Sequence, residues 1–352
     1  TTRGERDALR AVKRVCHAGL DTISLRQELA RQTASVVPTE ATSIVATDPD
    51  TGLFVHGWMT GLSDGLVHDY MTQVYPLEIT EYFDLARSGR TTSTINSALF
   101  LDMLRREGLE QRARTALCWD GGIWASWCMF REPGSPAFGE KEARFLRAAA
   151  PHIGYGMRSA SLLEAARAAD GASTTAPSVL ILDVHDRVVL RSGPAAAQLD
   201  DLANVGTDPD LLPYAVHSLL SRVRLAHEGV TRPGHPELRA HGRSGRWYTL
   251  RASLAEPDAS GESATVIVIE PARPPRGSVA LMHLYGLTPR ERDVVLLVLK
   301  GDSTKRIGAR LGVSGYTVQD HLSRACEKVG VRGRRALLAK LYRDGYTPAQ
   351  PA

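Results

Sequence analysis

The chain has few residues whose types and spacing suit catalysis. There is no G-x-x-x-x-G-K-[ST] phosphate loop and no H-E-x-x-H metal pair. The 11 histidines are scattered without an H-x-x-x-H pair, and the four cysteines (Cys16, Cys118, Cys128, Cys326) form no C-x-x-C and no metal spacing. No catalytic residue, metal or cofactor is expected. The chemically useful side chains cluster near the C-terminal end instead. Tyr316, Asp320, Ser323, Arg324 and Glu327 recur at the spacing of one outward helix face with Thr317, Gln319 and Lys328 on its flanks, and Lys305, Arg332 and Arg334 lie nearby in the sequence. Hydroxyl, amide, carboxylate and guanidinium groups in that arrangement can exchange hydrogen bonds with base edges and phosphates.

The charge distribution agrees. The 352 residues carry a formal net charge of +4, but residues 276–352 hold 14 basic and 6 acidic side chains, a net of +8, leaving −4 on the rest. A positive field confined to the last fifth of the chain points to a polyanionic partner for that part alone.

Helical elements are needed to position these groups, and the local signals predict them. Thr288-Pro-Arg-Glu291 is a capping box with proline at the first helical position, opening a helix through Val294, Val295 and Val298 to about Lys300. Gly301 stops it. Ser303 caps a second helix, Thr304–Leu311, and Gly312-Val-Ser314 turns into a third, Gly315–Val329, capped by Ser314. On the third helix Val318, Leu322, Ala325 and Val329 form the inward stripe, opposite Tyr316, Asp320, Ser323 and Arg324. Two helices joined by a short Gly-containing turn on a basic module form a helix-turn-helix signature.

This segment resembles the LuxR/FixJ-type DNA-binding domain. The match is carried by Leu287-Thr-Pro-Arg-Glu291, Ile307-Gly-Ala-Arg-Leu311, Gly312-Val-Ser-Gly-Tyr-Thr-Val318, His321-Leu322 and Lys328-Val-Gly-Val-Arg-Gly-Arg334, about 60 residues in all. The resemblance implies that the turn and the outward face of the third helix (Ser314, Tyr316, Thr317, Gln319, Asp320, Ser323, Arg324) touch DNA. It also implies that a fourth helix, about Arg334–Tyr342, dimerises through Leu338, Leu341 and Tyr342. Many relatives have a basic residue at Gln319 and a neutral one at Asp320. Asp320 therefore either accepts from a cytosine amino group or holds Arg324 one turn on, and the second is favoured because it needs no groove contact. Lys305, Lys328, Arg332 and Arg334 are the phosphate candidates.

Two stretches of linker composition, Ala169–Ala176 and Pro271–Ser278, divide the chain. The expected organisation is a domain over 1–170, a second over 177–270, a linker over 271–278 and the helical module over 279–352. In the first piece, Leu20–Val37 reads as a helix, Ala41–Thr47 and Leu53–Met59 as a hairpin around Asp48-Pro-Asp-Thr-Gly52, and Leu117–Phe130 as a second hairpin turning at Asp120-Gly-Gly122. A helix from Glu140 to about Arg167 follows, expected to bend at Pro151. The second piece reads as strands Val179–Val184, Val188–Arg191, Trp247–Leu254 and Thr265–Glu270 with helices Ala195–Leu202 and Leu211–His227. Asp48–Leu53, the Trp-rich hairpin and Phe138–Glu142 resemble a GAF-type sensory domain. The Leu182–Val189 opening, Pro194-Ala-Ala-Ala197 and Gly245–Leu250 resemble a PAS domain. The fold class is thus multidomain α+β: GAF-like, PAS-like, then an all-α four-helix LuxR-type module.

An aromatic cluster in the first piece (Trp58, Tyr70, Tyr75, Tyr82, Phe83, Trp119, Trp124, Trp127) either lines a pocket for a small apolar or aromatic ligand or forms ordinary core. The paired early acids, mid-chain Asp and late Lys of a phosphoacceptor domain are absent, so phosphorylation is not the expected input. The sequence is read as a DNA-binding transcription regulator, not an enzyme, acting on double-stranded DNA as a homodimer, with RNA polymerase a further possible partner. Its input is either a ligand in the sensory domains or protein contacts made by those domains. No apolar run approaches the ~20 residues of a membrane span, and no secretory signal opens the chain, so the cytoplasm is the expected location.

Overall fold

The computed structural model describes residues 2–88, 91–92, 97–120, 122–169, 176–204, 211–229, 236–255, 263–272, 285, 287–299 and 302–343. Most of both predicted linkers lies outside this set.

The chain opens with α1 (Arg3–Cys16), started by a Thr2/Glu5 capping box, and α2 (Thr22–Thr33), whose cap Asp21 accepts from the Ile23 and Ser24 N–H groups. An antiparallel sheet follows, built from β1 (Ala41–Thr47), β2 (Phe54–Thr60), β3 (Thr91–Thr92), β4 (Gln111–Trp119) and β5 (Gly122–Arg131) in the order β2-β1-β5-β4-β3. β1 lies between β2 and β5 and is buried at every residue, which is why its sequence shows no alternation. Its hairpin turn needs Gly52, at φ +71°, where a Cβ would lie 2.6 Å from the Phe83 ring. Asp120 takes the positive φ of the second hairpin.

From β2 the chain forms α3 (Asp64–Asp69), a π-helical turn (Tyr70–Val74) and α4 (Tyr75–Ser88), with α5 (Ala98–Arg106) ahead of β4. The long α6 (Glu140–Ala169) continues through Pro151 and packs against β4 and against α1.

A second antiparallel sheet comprises β6 (Ser178–Leu182), β7 (Val188–Arg191), β8 (Glu237–His241), β9 (Trp247–Leu254) and β10 (Thr265–Ala272), in the order β7-β6-β10-β9-β8. Numbered within its own sheet, each has the order 2-1-5-4-3, with helices on the crossover from second to third strand. Here these are α7 (Ala195–Leu202) and α8 (Tyr214–His227). The expected linker start at Pro271 is corrected: β10 extends to Ala272, with Pro271 opposite Tyr248 of β9. Proline is tolerated because pairing with β6 has already ended at Ser178, so β10 is an edge there.

The two sheets share one hydrophobic core. The element responsible is α8, buried at nine consecutive or near-consecutive positions from Tyr214 to Val223, because it packs on its own sheet and also on β2 and α4. Tyr214 reaches Gly57 so closely that a Cβ on that glycine would lie 2.8 Å from the ring, and Asn204 Oδ1 accepts from the Gly57 N–H at 3.0 Å. Asp48 in the β1–β2 turn accepts from the Arg239 N–H of β8.

The C-terminal helices α9 (Pro289–Leu299), α10 (Thr304–Leu311), α11 (Gly315–Val329) and α12 (Arg334–Arg343) enclose a separate core of Val294, Val295, Val298, Ile307, Val318, Leu322 and neighbours. Arg292 on α9 places Nη2 3.4 Å from His17 Nδ1 at the end of α1.

Candidate nucleic-acid interface

Local signals start the first three C-terminal helices. The Thr288 hydroxyl accepts from the Glu291 N–H, and Glu291 Oε2 accepts from the Thr288 N–H at 2.8 Å. The same carboxylate receives Lys328 Nζ at 2.7 Å, tying the start of α9 to the end of α11. Partial burial works against the charge, yet Lys328 and the Thr288 N–H hold the Glu291 carboxyl below its ordinary range. Ser303 caps α10 and Gly312 closes it in the left-handed conformation at φ +66°. Ser314 then accepts from the Thr317 N–H at 3.1 Å and starts α11.

With Val318, Leu322, Ala325 and Val329 buried, α11 turns its polar side outward. Tyr316 is 86% exposed, unusual for so large a ring, and Gln319, Ser323 and Arg324 are exposed beside the half-buried Thr317 and Asp320. Asp320 and Arg324 form an ion pair at 3.0 Å, the i,i+4 arrangement favoured from the sequence.

The basic candidates divide. Lys305 and Arg332 are exposed and, among the described residues, make no ion pair. Lys328 is engaged with Glu291, and Arg334 donates to the Asp302 carbonyl at 2.8 Å. Asp302 also pairs with Arg306 (3.3 Å) and Arg310 (3.0 Å), which makes it the organiser of the α10 start. Sequence reasoning missed Asp302 because its partners lie 4, 8 and 32 residues away on three separate turns of chain.

The dimerisation stripe expected on α12 is corrected in part. Leu341 is 0% exposed in the module's own core, and Leu338 is partly buried against it. The side chain of Tyr342 lies outside the described residues.

The aromatic cluster is corrected as well. A cavity of about 50 Å³ on the helical side of the first sheet is lined by Val45, Phe54, Tyr70, Phe100, Arg112 and Tyr214 among others, so only Tyr70 of the eight aromatics reaches it. Tyr75, Tyr82, Trp124 and Trp127 are buried core, Phe83 and Trp119 pack against that core, and Trp58 borders a different, polar cavity. Behind Tyr70 a buried ion triad joins Glu78 to Arg112 (2.7 Å) and Arg114 (3.1 Å), and the Tyr70 hydroxyl donates to the same carboxylate at 3.2 Å. Desolvation opposes ionisation of Glu78, but Arg112 and Arg114 outweigh it and keep its carboxyl below the ordinary range.

The run Gly61-Leu-Ser-Asp-Gly65 has the spacing of a hydrolase nucleophile turn. Its serine is a helix cap: Ser63 Oγ accepts from the Leu66 N–H and donates to Glu107, and among the described residues no histidine is bonded to it.

Comparison with known proteins bears on the C-terminal module first. The family model for bacterial regulatory proteins of the luxR family matches residues 286–341. The chain is 42% identical to the spore germination protein GerE of Bacillus subtilis over 59 residues, which is 17% of this chain and 80% of GerE. It is 32% identical over 147 residues to "Probable HTH-type transcriptional regulator GfsR" of Streptomyces halstedii, 39% of this chain and 51% of that protein. The GAF domain of a phosphoenolpyruvate-protein phosphotransferase from Coxiella burnetii aligns over 49% of this chain and all of that domain at 15% identity, with a TM-score of 0.35. So loose a superposition leaves the architecture of the first two pieces resting on their own strand order. Because it covers four-fifths of GerE at 42% identity and reproduces the capped helix-turn-helix, the chain belongs to the LuxR family of bacterial regulatory proteins.

Proposed function

We propose that α11 enters the major groove of a two-fold operator, presented by a homodimer, and that the state of the two N-terminal sheets sets the DNA-competent population. The chain is a DNA-binding transcription regulator, and the observation supporting this mode is the polar outward face of α11, headed by the 86% exposed Tyr316, on a module of net charge +8. In this reading Tyr316, Thr317, Gln319 and Ser323 meet base edges, while Lys305 and Arg332 take phosphates. Asp320 holds Arg324 in register rather than meeting DNA itself. Selection of duplexes from a random pool by the full chain tests it. Recovered sites are expected to carry inverted half-sites about 10 base pairs apart; sites without symmetry contradict the dimer.

One observation favours a second reading for the first sheet. Its apolar cavity, about 50 Å³, is far below the ~300–1,000 Å³ of a typical ligand pocket. On that reading the GAF-like piece is an interaction and dimerisation module with no apolar ligand. Screening apolar and aromatic metabolites by thermal shift separates the two: a stabilisation removed by Tyr70→Ala restores the ligand pocket.

A further inference from the structure

Where the two sheets meet, a second cavity of about 140 Å³ is walled by Arg26 of α2, His56 of β2, Glu164 of α6, Asp201 of α7 and His241 of β8. It far exceeds the ~10–15 Å³ a single water requires. Arg26 is 1% exposed and has no carboxylate within ion-pair distance among the described residues; its Nη2 donates instead to His56 Nδ1 at 3.1 Å. That bond fixes the proton pattern across the interface. His56 Nδ1 accepts, so its Nε2 carries the proton and donates to His241 Nε2 at 2.7 Å. His241 must then carry its own proton on Nδ1.

Both ends of this relay are unsatisfied. Among the described residues neither Arg26 Nε nor His241 Nδ1, both buried, has a partner at hydrogen-bond geometry, the nearest carboxylate oxygen to the latter being Glu164 Oε2 at 3.7 Å. The two carboxylates on the wall are already engaged. Glu164 accepts from the Thr22 N–H (2.7 Å) and hydroxyl (3.0 Å), and Asp201 accepts from the Ser244 N–H, the Ser244 hydroxyl and the Tyr248 hydroxyl at 2.7–2.8 Å. A buried cation with no bonded anion and two orphaned donors is costly in a protein interior.

We propose that this cavity is a binding site for a small carboxylate ion, whose oxygens accept from Arg26 Nε and His241 Nδ1 and whose charge neutralises Arg26. Its walls come from both sheets, so occupancy ties the second sheet to α2 and α6 and supplies an input independent of the apolar cavity. The site requires nothing of the DNA-binding reading, and its test contains no DNA, so each can fail alone.

The full chain is titrated with sodium acetate, pyruvate and succinate by calorimetry and thermal denaturation, at ionic strength held constant with sodium chloride. At least one of the three is expected to bind and to raise the Tm by about 2–4 °C at saturating concentration. Arg26→Met is expected to abolish that shift while melting, without carboxylate, no lower than wild type, since it removes an unpaired buried charge. Absence of heat and shift for all three, an equal shift in Arg26→Met, or the same shift from chloride alone overturns the proposal. Should Arg26→Met fail to fold, His241→Phe, which keeps a ring but loses the Nδ1 donor, must weaken binding at least tenfold; unchanged affinity overturns it.

Discussion

Replacing Glu291 with alanine should loosen the C-terminal module without touching the DNA-facing side of α11. The side chain is 3% exposed and accepts from the Thr288 N–H at 2.8 Å and from Lys328 Nζ at 2.7 Å, so one substitution removes the reciprocal half of the capping box and the bond between α9 and α11. Loss of that acceptor, with the Thr288 hydroxyl still capping the helix, costs about 1 kcal/mol. A hydrogen bond to a charged group adds about 1.5–3 kcal/mol when buried, but Lys328 is 36% exposed and rehydrates, which reduces that part to about 1–1.5 kcal/mol. The sum, about 2–2.5 kcal/mol, corresponds to amide exchange about 30- to 60-fold faster throughout the module if opening limits it. Hydrogen exchange on the full chain, followed by mass spectrometry over peptides spanning 287–329, measures this directly. Glu291→Gln retains the cap acceptor but not the charge and should show a smaller effect. Acceleration below about threefold, or acceleration spread equally over the first sheet, would refute the claim that Glu291 organises a separate core.

Tyr316→Ala should weaken operator binding at least tenfold while changing stability by less than about 0.5 kcal/mol, because the ring is 86% exposed and supports no packing; competition binding and denaturant melts read the two effects. Lys305→Ala and Arg332→Ala should each lower the slope of log K against log[salt] by about 1, whereas Arg334→Ala, which removes a donor to the Asp302 carbonyl, should chiefly destabilise the module; a salt titration beside a melt distinguishes them. Burial, followed by nearby His68, pushes the His217 imidazole down to about 4. Because its folded value lies below the unfolded one, the associated stability, about 3 kcal/mol, is fully present above about pH 6.5 and is lost progressively as the pH falls toward 4. His217→Leu should flatten that part of the acid-denaturation profile, as followed by circular dichroism.

How much the sequence foretold depended on how local the signal was. Thr288 with Glu291, Ser303, Gly312 and Ser314 each act within four residues, and α10 and α11 have the predicted bounds. The hairpins around Gly52 and Asp120 were legible for the same reason. Elements set by distant burial were not. α8 is enclosed on both sides, so its apolar face gives no clue that it joins two sheets. β8 is a short stretch, Glu237–His241, with charged residues on an edge, and it was not anticipated. The aromatic cluster read as one group in sequence, but the fold distributes it among core, apolar cavity and interdomain wall, since tryptophan and tyrosine types do not reveal which side of a strand faces which layer. The polar cavity had no sequence signature at all. Arg26, His56, Glu164 and His241 meet across separations of up to 215 residues, and histidine spacing along the chain says nothing about such a meeting.

The most direct measurement is the affinity of the full chain for a selected duplex between 50 and 300 mM salt, in parallel with a Tyr316→Ala/Gln319→Ala/Ser323→Ala variant. Log K is predicted to fall linearly with log[salt], with a slope steeper than about −4 in both proteins, while only the wild type discriminates the selected site from random sequence. A flat salt dependence, or discrimination that survives the triple substitution, would contradict the assignment of α11 as the helix that reads DNA.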